Sequence, residues 1–195
     1  IITMQKIDEA FHSVKCFNGD AYVADYTNQT QNEAGVCLLE TAPEDIHYFH
    51  LVNRHNVEYW GVNFEENAGF FEKGINQCEC MFASKNAKKK GWVCLVELKY
   101  CLEKNVAGNS ESAFMQLKNT LAYLTRKEVV STARHRIYLN ISIPDHSHKE
   151  PFLSFISTQD ETLNALKANR IQVLGYNEVL ILNESYLRVP REAIL

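Results

Sequence analysis

A chain of 195 residues is long enough to bury a sizeable core in one domain. Its 46% hydrophobic and 23% charged residues exclude a globally disordered polymer. A net charge of −4 disfavours a protein that coats nucleic acid through bulk positive charge. No apolar run approaches the roughly 20 residues that span a bilayer as a helix. The opening residues carry no basic segment followed by an apolar one, so no secretory leader is expected, and Met4 is a candidate start.

Residues 5–16 read as a short helix with Ile7, Ala10, Phe11 and Val14 inward, and residues 36–39 as a short strand. Pro43-Glu44-Asp45 suits the first turn of a helix running to about residue 53. A strand is expected over 58–64. Two stronger ones follow at 77–83 and 92–100, joined as a hairpin by a Lys-rich loop ending in Gly91. Phe114, Leu117, Leu121 and Leu124 form the apolar stripe of a long helix over about 110–128. Residues 136–143 alternate, with Ile137, Leu139, Ile141 and Ile143 on one face, until Pro144 ends the strand. Thr158-Gln159-Asp160-Glu161 resembles a capping box for a helix to about residue 169, and 171–182 supplies strand material around Gly175. The order predicts an α/β domain over 1–195, with a core at about 40–143 and a C-terminal helix and strand within 157–183. Its mixed central sheet is expected to be flanked by helices.

Six cysteines, Cys16, Cys37, Cys78, Cys80, Cys94 and Cys101, lie mostly in apolar, strand-like segments. That distribution reads as reduced thiols of a cytoplasmic protein. Cys78-x-Cys80, with Cys94 and Cys101 beyond, lacks the paired C-x-x-C knuckles of a structural zinc site. Lys85, Lys88, Lys89 and Lys90 form one basic cluster, and Arg126, Lys127, Arg134 and Arg136 another. Solvated surface is the ordinary reading, and contact of Lys88, Lys89 and Lys90 with phosphates the sharper one. His47, His50 and His55 lie near one segment and His146 and His148 follow Pro144, without the acid or Cys spacing of a metal site. Gly-rich phosphate loops and a Gly-x-Ser-x-Gly elbow are absent.

The chemistry concentrates in residues 92–100. Alternation puts Val93, Leu95, Glu97 and Lys99 on one face of that strand and Trp92, Cys94, Val96 and Leu98 on the other. Burying a carboxylate and an ammonium costs several kcal/mol each unless they pair or bind an ion. If Cys78, Cys80 and Phe82 share the apolar face with Trp92 and Cys94, paired residue numbers have an even sum. Glu79 then lies opposite Glu97 or diagonal to it, with Cβ atoms about 5 to 8 Å apart. Two converging carboxylates repel unless they share a proton or a cation. Such oxygens suit Mg²⁺ or Mn²⁺, and Lys99, on the same face, can orient a water or neutralise charge growing on a phosphate.

Glu79, the hairpin and Glu97-Leu98-Lys99 together resemble the active-site pattern of the PD-(D/E)XK nuclease superfamily. Its members carry an acid on one strand and acid-x-Lys on the next, within an αβββαβ, restriction-endonuclease-like core. The resemblance implies phosphodiester hydrolysis, on DNA more often than RNA, with Glu79 and Glu97 as ligands of Mg²⁺ or Mn²⁺ and Lys99 as the catalytic lysine. Gln116 and Tyr123 resemble the Gln-and-Tyr signature of one subgroup, in which they position substrate. A small catalytic domain of this kind is expected as a homodimer or as a subunit of a restriction, repair or defence assembly. The chain departs from the pattern in using Glu79 for the usual Asp, with Cys78 where Pro is common. Many members add an upstream acid, for which Glu40, Glu44, Asp45 and Glu58 are equal candidates. Two rival readings stand beside the nuclease: a nuclease-like fold that only docks a partner, and a surface Glu97–Lys99 ion pair worth about 0 to 1 kcal/mol.

Overall fold

The computed structural model describes residues 6–27, 29, 35–146 and 160–190. Two mixed sheets lie face to face, and the helices pack on the outer face of the larger one. In chain order the elements are α1 (Ile7–Ala10), β1 (Lys15–Phe17), β2 (Ala21–Asp25), β3 (Val36–Leu39), β4 (Phe49–Val52), β5 (Tyr59–Asn63), β6 (Cys80–Ser84) and β7 (Gly91–Leu98). After these come α2 (Val106–Arg126), β8 (His135–Ser142), α3 (Asp160–Ala168), β9 (Ile171–Leu174), β10 (Glu178–Ile181) and β11 (Leu187–Arg188). The larger sheet has the order β1-β5-β6-β7-β8-β9 and the smaller β11-β10-β4-β2-β3. β5, β6 and β7 form an antiparallel meander, α2 crosses over, and β8 returns parallel to β7 with β9 parallel beside it.

All eight residues of β7 are buried, because both faces of this central strand are covered. On one face Met81, Val93, Leu95, Ile137, Leu139 and Ile141 meet Phe114, Leu117, Leu121 and Leu124 of α2. On the other, Phe82, Trp92, Cys94, Val96 and Tyr138 meet Val23, Phe49, Leu51 and Val179 of the smaller sheet. The expectation of helices flanking the central sheet is therefore corrected: helices cover one face and a five-stranded sheet covers the other. Helix α2 ends where Glu128 turns left-handed (φ 60°) and Val129 N–H closes back on Leu124 O.

The expected helix over 43–53 does not form. Its second half is β4, where Phe49 and Leu51 are fully buried and pair with β2 and β10. A strand's two-residue period places both in the inter-sheet core, and that burial outweighs the helix-start composition of Pro43-Glu44-Asp45. The expected helix over 5–16 shrinks to one turn, since Lys15–Phe17 pairs with β5 and Ser13 N–H donates to Asn67 Oδ1. Residues 171–182 divide between β9 in one sheet and β10 in the other, so Gly175 lies where the chain changes sheets. Of the expected capping box, Thr158 and Gln159 fall outside the described residues, as does His148.

Candidate active site

The β6–β7 ladder pairs Cys80 with Val96, Met81 with Leu95, Phe82 with Cys94 and Ala83 with Val93. That is the even-sum register; the ladder ends at Cys80 and Val96, and Glu79 and Glu97 are the residues next beyond it on the two strands. Glu79 lies just before β6, with its N–H donating to Val96 O (3.1 Å). Cys78 N–H instead turns away to Thr120 Oγ1 of α2 (2.7 Å). The strand start is thus pinned between a sheet partner and the helix.

Glu97 is 0% exposed. Lys99 Nζ lies 2.7 Å from its Oε1, and the Glu79 backbone also reaches the carboxylate. Lys99 Nζ donates to Gln116 Oε1 (2.6 Å), and Gln116 Nε2 donates to Gln77 O (3.3 Å). The helix therefore holds the lysine over the acid from above. Burial pushes the Glu97 carboxyl above its ordinary pKa, against the pull of Lys99. Glu79 is pushed up more strongly, first by burial and then by the charges of Glu97 and Asp25. Two neighbouring carboxyls that resist ionising are eased when they share a proton or a cation.

The upstream acids weighed in the sequence lie elsewhere. Glu40 pairs with Lys15 (3.4 Å), Asp45 accepts from Tyr26 Oη (2.8 Å), Glu58 accepts from Asn86 Nδ2 (2.9 Å), and Glu44 is exposed. Asp25 and Glu65 are the additional acids whose charges reach Glu79. Asp25 ends β2 in the other sheet, and Tyr100 ties it in by accepting its N–H (3.3 Å) while donating to His47 O (2.7 Å). No local spacing in the sequence points to Asp25, because the link runs between sheets. No group of three or more His, Cys, Asp or Glu side chains suited to a metal occurs among the described residues. A cation here would take its protein ligands from Glu79 and Glu97 and its remaining oxygens from water and substrate, an arrangement usual for Mg²⁺.

Tyr123, expected as a substrate contact, lies inside the fold. It is 3% exposed, donates to Phe70 O (2.9 Å) and accepts from Glu72 N–H (3.2 Å), so both functions of its hydroxyl are used inside the fold. Lys88, Lys89 and Lys90 are not brought to the carboxylates either. They occupy the turn of the hairpin whose open end holds Glu79 and Glu97, six residues of strand or about 20 Å away. All six cysteines are free thiols, and Cys78, Cys80 and Cys94 are buried. His47 pairs with Asp145 (2.8 Å), His50 with Asp20 (2.8 Å), and His146 bonds Cys101 O (2.7 Å). No helix of the described residues is long and apolar enough to cross a membrane. No protein-family model, curated protein or solved structure matches this chain.

Proposed function

We propose that this chain is a metal-dependent nuclease of the PD-(D/E)XK kind, hydrolysing phosphodiester bonds in DNA. What carries the reading is the buried Glu97 carboxylate, whose charge reaches Glu79 just before β6 and whose Oε1 lies 2.7 Å from Lys99 Nζ. The run β5-β6-β7-α2-β8 supports it, since the acids fall at the ends of the second and third strands of a βββαβ unit, as in a restriction-endonuclease-like core.

Glu79 and Glu97 would hold Mg²⁺ or Mn²⁺, which supplies Lewis acidity and lowers the pKa of a water. Lys99 orients the attacking water and neutralises charge growing on the phosphate oxygens. Gln116 positions that lysine through its 2.6 Å bond. Water adds its oxygen to phosphorus, the bond to the leaving sugar oxygen breaks, and that oxygen takes up a proton. The free thiols fit a cytoplasmic protein. A small catalytic unit of this type fits a homodimer or a subunit of a larger assembly.

The Lys99–Glu97 contact favours one other reading, a nuclease-like fold that docks a partner without cutting, because the ammonium already neutralises the acid. Calorimetric Mn²⁺ titration beside a cleavage assay separates the two. With Mg²⁺ or Mn²⁺ the protein cuts DNA and chelation stops it. Lys99→Ala keeps metal affinity and loses turnover, whereas Glu97→Ala loses both. Equal Mn²⁺ binding by wild type and Glu97→Ala ends the case for this site.

A further inference from the structure

The parallel strands β7, β8 and β9 all begin at the hairpin-turn end of the larger sheet, opposite the carboxylates. Cations gather along that edge: Lys85, Lys88, Lys89 and Lys90 in the turn, Arg134 and Arg136 at the start of β8, and Arg170 just before β9. Asp8, Glu58 and Glu184 are the acids beside them, in a chain whose net charge is −4. The edge from β5 to β9 covers four strand spacings, about 19 Å. A single strand of nucleic acid lays several phosphates over that length.

Three further features distinguish this edge from an ordinary solvated surface. A cavity of about 390 Å³ opens at its β5 end, lined among others by Lys6, Trp60, Lys85, Arg134 and His135. Half-buried Trp60 forms part of its wall, with Lys85 Nζ 4.4 Å from the indole centre. Towards the other end, the Arg136 guanidinium lies over Tyr186, 4.0 Å from the ring centre, and Tyr186 is 43% exposed. Aromatic rings interleaved with cations are what sequence-tolerant binding of single strands requires. Arg170 holds a left-handed backbone (φ 65°) directly after α3, a position where glycine or asparagine is the unstrained choice. An arginine at that place costs stability and contributes charge. The cations also act on one another: Lys90 is pushed below its ordinary pKa by burial and by the charges of Arg170 and Arg136. Beside them His135, lowered to about 4 by burial and by Arg134, is neutral at pH 7.

We infer that this edge is a track for the phosphate backbone of single-stranded nucleic acid, running from the Trp60 cavity past Arg134 and Arg136 to Arg170. The track needs neither metal nor cleavage, so its test runs in EDTA and its outcome is separate from that of the proposed reaction.

The experiment is fluorescence anisotropy of a labelled oligothymidylate of about 12 nucleotides, within the site sizes usual for such tracks, at several salt concentrations. A duplex of the same length and an inorganic polyphosphate chain serve as parallel probes. Each single-strand phosphate contact contributes about 0.7 to the slope of log K against log salt, or up to about fivefold in affinity near 0.1 M. Lys88→Ala/Lys89→Ala is expected to lose up to about 25-fold and to flatten the slope by about 1.4. Arg170→Gly is expected to weaken binding about fivefold while its thermal midpoint holds or rises, since glycine relieves the left-handed strain. Emission of Trp60 should change on binding, because Trp92 is fully buried with its indole N–H on Asn183 O (2.9 Å). Unchanged affinity and slope in both variants overturn the track. Tighter binding of the duplex overturns the single-strand assignment, and equal binding of polyphosphate reduces the edge to a patch of bare charge.

Discussion

Glu79→Gln tests the electrostatics of the site without any assumption about catalysis. In the folded chain Glu79 resists ionisation, because it is desolvated and faces the charges of Glu97 and Asp25. Unfolded, it ionises near the ordinary glutamate pKa of about 4.3. A carboxyl whose folded pKa is raised favours the fold fully below its unfolded pKa, and that contribution is lost as pH rises towards the folded value. For one carboxyl still protonated in the fold, each pH unit costs about 1.4 kcal/mol. Between pH 5 and pH 7 the wild type therefore loses on the order of 2 to 3 kcal/mol through Glu79, which a glutamine does not lose. Urea unfolding in EDTA at pH 5, 6, 7 and 8 should show the variant near wild type at pH 5 and more stable by about 2 to 3 kcal/mol at pH 7. For a chain of this length that is roughly 5 to 10 °C in Tm. Mn²⁺ should then close the gap, since a ligand at about 100 times its Kd stabilises the wild type by about 2.7 kcal/mol and has lost one of its protein ligands in the variant. Parallel stability profiles across this pH range would refute the raised carboxyl, whatever the protein is found to cut.

Tyr123→Phe should cost about 1 to 3 kcal/mol in urea unfolding and leave cleavage intact, because it strips partners from Phe70 O and Glu72 N–H; lost activity at wild-type stability would return Tyr123 to the substrate. Gly61→Ala places a Cβ 2.6 Å from Phe17 Cε2 and 3.2 Å from Phe82 Cε1, so it overpacks the seam between the sheets. A loss of about 1 to 3 kcal/mol in the same assay is expected, and a neutral result would mean that the Phe17 ring moves aside freely.

The elements that could be read from the sequence are those whose period repeats long enough to be unambiguous. Eight residues of alternation fix β8, and the stripe Phe114, Leu117, Leu121 and Leu124 fixes the buried face of α2. In the smaller sheet the strand expected over 36–39 is β3 and the material over 171–182 contains β10, whereas β2, β4 and β11, two to five residues long, escaped. Phe49-His50-Leu51-Val52 carries only one full cycle of alternation, and Pro43-Glu44-Asp45 ahead of it has the composition of a helix start. What decides between helix and strand there is a partner, the apolar face of Phe82, Trp92 and Cys94, which no local window contains. The same face would accept a helix layer as readily, so a sheet facing a sheet could not be told in advance from a sheet facing helices.

The site divides along the same line. Glu79 and Glu97 could be set opposite one another because hairpin register has only two parities and the apolar pattern forbids one of them. Asp25 could not be found, since it approaches through a contact between sheets. Seven residues bring Tyr123 round to nearly the same side of α2 as Gln116 but about 10 Å further along it, here among Phe70 and Phe71. The lysines follow from the hairpin itself. A hairpin that closes Glu79 against Glu97 at its open end must carry its turn to the other end of the strands. Lys88 to Lys90 are therefore about 20 Å from the acids by construction of the fold, not by accident of packing. Under the function and the track proposed above, one end of the sheet would hold phosphates through a cation carried by the acids and the other directly. A polyanion that reaches from the Lys88–Lys90 turn to Glu97 would then satisfy both, and a mononucleotide only one.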